Sequence, residues 1–253
     1  MDLAKVVIGN ISATVIVYRG RNPSEVFMEV KDHGYPFPNF KGRYCIIGGN
    51  WVGNNARADK NPRETMCREV REEITFDRPV ITSDDLEDLE FGSFPPYISA
   101  GISAVSNEGD RTKLEELRNI ITEGAVAWKD CLQSVPTEVH NGERPGSTTL
   151  CSYWHVGLGE NEWGRLLELQ SKFGNLSNES LTILTSVDEM IREGLMGTWG
   201  HDQALRSFLI EMGVARAESL PCLPGITLDK LHPPLNSYDD YLARYDVKKN
   251  PRL

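Results

Sequence analysis

The sequence predicts an α/β fold, a sheet covered by helices, and three observations carry that prediction. Short Val- and Ile-rich runs of strand length alternate with segments whose apolar residues fall at spacings of three and four, which favours helices packed on a sheet over an all-helical bundle. Gly, Pro and Asn clusters punctuate these runs, and no internal repeat interrupts them. With 253 residues the chain is long enough to bury a sizeable core in one large domain, while its 40% hydrophobic share leaves room for solvated loops and a tail.

In chain order, Val6 to Ile8 and Ala13 to Tyr18 read as strands separated by a Gly-Asn turn signal, with Phe27 to Val30 as a third. His33-Gly34-Tyr35-Pro36-Phe37-Pro38 is a loop bearing aromatics, because each proline lacks an amide donor and biases its predecessor to extended geometry. A strand over Tyr44 to Ile47 runs into Gly48-Gly49, and a polar loop, Gly53 to Lys60, leads to the clearest helix, Asn61 to Ile74. Asn61 suits the N-cap and Pro62 the first helical position. From Pro79 an acidic linker passes to Pro95-Pro96, after which Leu114, Leu117, Ile120 and Ile121 predict a helix over Lys113 to Asp130. Thr148 to Gly157 reads as a strand, Trp163 to Phe173 as a short helix and Ser180 to Leu184 as a strand. Helices follow near Val187 to Glu193 and Asp202 to Met212. Beyond Ala215 the pattern decays, and the tail, with a short helix around Tyr238 to Tyr245, reads as a docked extension or a partner arm rather than a second domain. The expected organisation is one domain over 1–215, with an insertion at about 80–135, and an extension over 216–253.

Charge and composition exclude several functions. A formal net charge of −10, from 27 Lys plus Arg against 37 Asp plus Glu, argues against holding duplex nucleic acid by phosphate neutralisation. No apolar run approaches the roughly 20 residues of a membrane helix, and the start of the chain lacks the features of a secretory signal. The five cysteines are widely spaced without a Cys-x-x-Cys, so no disulfide framework is expected and a reducing cytoplasm is the expected compartment. The five histidines show no metal-ligand spacing, and no Gly-x-Ser-x-Gly elbow is present.

The segment that carries chemistry is Arg68-Glu69-Val70-Arg71-Glu72-Glu73-Ile74. On a helix Glu69, Glu72 and Glu73 form a triangle of carboxylates, which repel unless something cationic holds them ionised. A hard divalent ion with a preference for oxygen is suited to that place. Arg68, four residues from both Glu64 and Glu72, is placed to brace the cluster, with Met66, Cys67, Val70 and Ile74 on the buried side. A solvated helix face laced with ion pairs is the other reading of such a run. The preceding Gly48-Gly49 adds backbone that a metal or phosphate can approach closely.

This segment resembles the Nudix hydrolase box, whose second half, Arg-Glu-apolar-x-Glu-Glu, stands here as Arg68 to Glu73, with Phe76 as the closing apolar position. By average composition that core arises by chance in roughly one chain in a thousand. The first half departs from the pattern: Lys60 falls on the family's Glu, Asn54 on its first Gly and Thr75 on its last Gly. Asn178-Glu179 ahead of Ser180 to Leu184 is similar to the acidic loop that follows the box in some members.

The resemblance implies a Nudix-type α/β/α sandwich around a mixed sheet, enlarged by an inserted helix and a C-terminal extension. It further implies metal-dependent hydrolysis of a phosphoanhydride bond in a nucleoside diphosphate linked to another moiety. Mg²⁺ or Mn²⁺ is expected on Glu69, Glu72, Glu73 and the Gly49 carbonyl, with Arg68 as brace and Glu69 or Glu179 as base. The expected partner is a small-molecule nucleotide, and a homodimer is in keeping with many family members. Lys60 and Thr75 motivate the alternative of a catalytically inactive Nudix-like nucleotide-binding or regulatory module. Tyr35, Phe37 and Phe40 either stack a nucleobase at the mouth of the site or pin their loop to the core, and His201 is either structural or a substrate contact.

Overall fold

Ten consecutive residues, Asn10–Arg19, form the strand around which the sheet is organised (β2). Successive side chains of a strand point to opposite faces, and here the residues on both faces are buried from Ile11 to Tyr18, so the strand is covered on both sides. The computed structural model describes residues 7–21, 23–31, 35, 37–51, 59–76, 106–140, 146–177 and 180–247.

Among the described residues the main sheet has eight strands in the order β4-β3-β2-β7-β6-β9, with β5 also on β2 and β8 also on β3. These are β3 (Glu25–Val30), β4 (Tyr44–Cys45), β5 (Ile47–Asn50), β6 (Val126–Val135), β7 (Ser147–Leu158), β8 (Leu181–Ser186) and β9 (Thr227–Lys230). β2 runs parallel to β7 over its full length and antiparallel to both β3 and β5, which makes the sheet mixed. Along its other edge β2 changes partner: Val17 and Tyr18 pair with β3, whereas Ser12 to Val15 pair with β5. This splay leaves the Gly48-Gly49 backbone of β5 beside the first helix. A separate parallel pair joins β1 (Val7–Ile8) to β10 (Asp246–Val247).

On one face Ala13, Val15 and Val17 meet three helices: α1 (Pro62–Glu73), α2 (Glu108–Gly124) and α3 (Glu160–Phe173). On the other, Ile16 and Tyr18 meet α4 (Val187–Arg192) and α5 (His201–Glu211). The result is an α/β/α sandwich. A sixth helix, α6 (Tyr238–Arg244), places Tyr238, Tyr241 and Tyr245 against Ile8, Ile11, Leu132 and Leu150. The segment after 216 thus supplies an edge strand of the sheet, β9, and a helix on its flank.

Most predicted elements lie within a few residues of the observed ones; the main difference is at Lys113 to Asp130. The helix there begins earlier, at an Asn107–Asp110 capping box, and ends at Gly124. Residues from Val126 instead enter strand β6, whose buried Cys131 and Leu132 face the two sides of the sheet. The strand expected over Tyr44 to Ile47 is broken at Ile46 into β4 and β5. All five cysteines are free thiols. No helix among the described residues is long and apolar enough to cross a membrane.

Candidate active site

Helix α1 is fixed at its start by local chemistry. The Asn61 side chain accepts the Glu64 amide at 3.0 Å, Pro62 fills the first turn, and Glu64 returns to accept the Lys60 amide at 2.8 Å. Glu64 is therefore a capping residue rather than a partner of Arg68, which corrects the expectation from the four-residue spacing. Met66, Val70 and Ile74 anchor the helix in the core on its sheet side.

That anchoring turns two of the three box carboxylates onto β5. Glu73 accepts the Gly48 amide at 2.8 Å. Glu69 lies over Gly49 so closely that a Cβ built there would stand 2.5 Å from its carboxylate. Gly48 itself has φ +142, and a Cβ on it would stand 2.2 Å from the Ala13 carbonyl, so only glycine fits against β2. Glu72 points outward, with its side chain 57% exposed, and pairs with Arg68.

The triangle is thus not one exposed face, as the helical spacing alone implies: Glu73 is buried at 4% exposure, and Glu69 has a side chain only 12% exposed. Burial, the nearby Glu29 carboxylate and, less strongly, Glu69 push the Glu73 carboxyl well above the usual glutamate range, against the opposing pull of Lys31 and the Gly48 amide.

Arg68 organises the rest. Its Nη1 pairs with Glu69 and with Glu72, each at 2.8 Å, and its Nη2 donates to the Asn50 carbonyl at 2.8 Å. The other edge of the guanidinium meets Asp59, with Nε 3.2 Å and Nη2 3.1 Å from Oδ2. Asp59 is buried, and it carried no motif signal that could have marked it in the sequence.

A second buried pair lies behind Glu73. Glu29 and Lys31, on and just after β3, are 3.3 Å apart at Oε2 and Nζ, with side chains 1% and 9% exposed. Ser177 donates to Glu29, and Lys31 donates to the Ser180 hydroxyl at 3.1 Å. Burial works against the Lys31 charge, but Cys45, Glu29 and Glu73 outweigh it and hold the ammonium above the ordinary lysine range. Alternation along a buried strand gave no warning of this pair. Glu179, the expected loop acid, lies outside the described residues.

The donor types suit a hard divalent cation, since Glu29 and Glu69 each lie within electrostatic reach of Glu73 and Gly49 presents no side chain. Among the described residues no three His, Cys, Asp or Glu side chains are already grouped as a metal cage. Arg68 and Lys31 stand as counter-charges instead.

The remaining candidates are structural. Phe40 is fully buried against Trp199 at a ring separation of 4.3 Å, and the Trp199 indole donates to the Tyr35 hydroxyl at 3.2 Å. With Phe37 edge-on to the same indole at 5.2 Å, these rings pin their loop to the core. His201 is buried as the first residue of α5, where its Nδ1 accepts the Ile46 amide at 2.9 Å. Burial, with Lys31 adding to it, pushes its pKa down to about 3, so the ring is neutral.

No family model and no curated protein matches the chain. Among solved structures it is similar to a Nudix hydrolase from Alicyclobacillus acidocaldarius, at 12% identity and a TM-score of 0.35, over 74% of this chain and 83% of that one.

Proposed function

We propose that the chain is a Nudix-type pyrophosphohydrolase that depends on a bound divalent metal and cleaves a phosphoanhydride bond in a nucleoside diphosphate linked to another moiety. The observation that carries this reading is the meeting of Glu73 with the Gly48 amide and of Glu69 with Gly49, because a helix of solvated ion pairs has no reason to turn two glutamates onto a Gly-Gly stretch of strand.

A bound Mg²⁺ or Mn²⁺ supplies neutralisation of the diphosphate charge and a water acidified toward neutral pH. Glu69, Glu72, Glu73 and the Gly49 carbonyl are the groups that would hold it. Glu69 or Glu179 orients the attacking water and accepts its proton on a carboxylate oxygen. Arg68 keeps Glu69 and Glu72 in fixed orientation, and Lys31 offsets the negative charge of Glu29 and Glu73 behind them. The deciding experiment is a hydrolysis screen with Mg²⁺ and Mn²⁺ over ADP-ribose, dinucleotides, dinucleoside polyphosphates and nucleoside triphosphates, beside Glu72→Gln and Glu73→Gln.

One observation favours a second reading, a nucleotide-binding module without turnover. Arg68 already occupies Glu69 and Glu72, and Lys60 and Thr75 stand at two family positions. Calorimetry showing tight nucleotide binding, with no metal-dependent release of a phosphate-bearing product, would select it.

A further inference from the structure

The C-terminal segment reaches the candidate site from the far end of the chain. Helix α6 begins with a capping box in which Ser237 accepts the Asp240 amide at 3.2 Å and Asp240 accepts the Ser237 amide at 3.1 Å, so its first residue, Tyr238, is held firmly. The Tyr238 amide donates to the Lys60 carbonyl at 2.9 Å. Its ring stacks on Trp51 at a centroid distance of 4.4 Å, and the Trp51 indole donates to the Asp59 carbonyl at 3.0 Å.

The phenol continues the connection. Thr65 Oγ1 donates to Asp59 Oδ2 at 2.9 Å, so in the 2.6 Å contact between Tyr238 and Thr65 the phenol is the donor. Asp59 then receives Arg68, and Arg68 holds Glu69 and Glu72. Tyr238, Thr65 and Asp59 are 3%, 0% and 8% exposed, so water does not compete for these bonds.

We propose that Tyr238 is a positioning residue of the candidate active site, acting through Thr65 and Asp59 to fix the Arg68 guanidinium and, through it, the carboxylates of Glu69 and Glu72. Its consequence for turnover rests on the hydrolase reading above; the brace itself does not. A guanidinium is a planar fork, so an aspartate locked on the Nε edge fixes the direction of Nη1 toward the glutamates. Burial keeps the phenol protonated, which preserves its donor role across working pH. Docking of the tail has its own contacts, with Tyr241 donating to Asp130 at 2.8 Å and His232 bonded to Tyr245 at 2.6 Å. Mutation can therefore separate docking from the brace.

The test compares Tyr238→Phe, Thr65→Val and Thr65→Ser with Tyr245→Phe as a tail control, using amide hydrogen exchange over 59–73 and steady-state kinetics on whichever substrate the screen identifies. Tyr238→Phe and Thr65→Val should each speed exchange over 59–73 and lower kcat roughly ten- to a hundred-fold with KM little changed; Tm should move little in Tyr238→Phe and fall by a few degrees in Thr65→Val, which strands the buried phenol. Thr65→Ser, which keeps the hydroxyl, should behave as wild type, and Tyr238→Phe added to Thr65→Val should cost nothing further. Wild-type exchange in both Tyr238→Phe and Thr65→Val overturns the brace. Altered exchange in a protein that hydrolyses none of the substrates upholds the brace and removes the hydrolase reading instead. An active enzyme whose kcat is untouched by Tyr238→Phe overturns the positioning role.

Discussion

The carboxylate of Glu73 accepts the amide hydrogen of Gly48 at 2.8 Å, joining residues 25 positions apart. Through this bond the box helix and the glycine strand act as one unit, and the two glycines have different parts in it.

Gly49→Ala should disturb the site and spare the fold. The three atoms nearest the added Cβ are the end of the Glu69 side chain, from 2.5 Å, so the carboxylate must swing aside and give up its pairing with Arg68, at a cost of about 1 kcal/mol. Turnover is expected to fall at least roughly ten-fold while Tm moves little, as misplaced reacting groups are costly. Gly48→Ala should do the reverse first: φ +142 and a Cβ 2.2 Å from the Ala13 backbone oxygen predict a loss of at least about 2 kcal/mol in urea unfolding.

Lys31→Met removes the countercharge of Glu29 at a position where the carboxylate is 1% exposed. A destabilisation of about 3–5 kcal/mol is expected, because the remaining charge is buried and unpaired. The double variant Lys31→Met with Glu29→Gln should recover part of it, and chemical denaturation of the set measures both.

His201 predicts how stability depends on pH. Its pKa falls from 6.5 toward about 3 on folding, so the unfolded chain takes up a proton in this window and the folded one does not. Stability is therefore fully present above pH 6.5 and is lost as pH falls toward 3. The loss from this group between pH 7 and pH 5 is about 2 kcal/mol. His201→Gln should flatten that part of the profile, and urea unfolding at the two pH values checks it.

Glu72 and Glu73 should separate stability from activity. Glu72→Gln removes only a surface ion pair with Arg68, whose loss is expected to cost under about 1 kcal/mol. Glu73→Gln is tolerated for another reason: it keeps the volume and an oxygen for the Gly48 amide while removing a charge that burial disfavours. Thermal unfolding of both variants should stay near wild type.

Local signals in the sequence reached the elements and the box, and stopped where the site is assembled over long range. Asn61 and Pro62 place the start of α1, and the Arg68 to Glu73 spacing marks the carboxylates. The same spacing misassigned Glu64 as a partner of Arg68, since an acid in the first turn is equally suited to capping. It also gave no sign that Glu73 is buried, because the face that a helix turns inward depends on β5 and β3 behind it. Asp59, Glu29, Lys31 and Tyr238 have no motif around them; Tyr238 meets Thr65 across 173 positions, and only the fold brings them together. At Lys113 to Asp130, the apolar period of the helix ran on into the first residues of β6, where no proline marks the change.

The central claim, that the Glu69 and Glu73 carboxylates against Gly48-Gly49 form a hydrolytic site, is tested most directly by metal-dependent product release from nucleoside diphosphate derivatives, wild type against Glu73→Gln. Turnover with Mg²⁺ or Mn²⁺ in wild type, abolished by chelation and reduced by orders of magnitude in a Glu73→Gln protein that stays folded, is the predicted result. Equal activity in the two proteins, or none in wild type on any of the substrates, would contradict it.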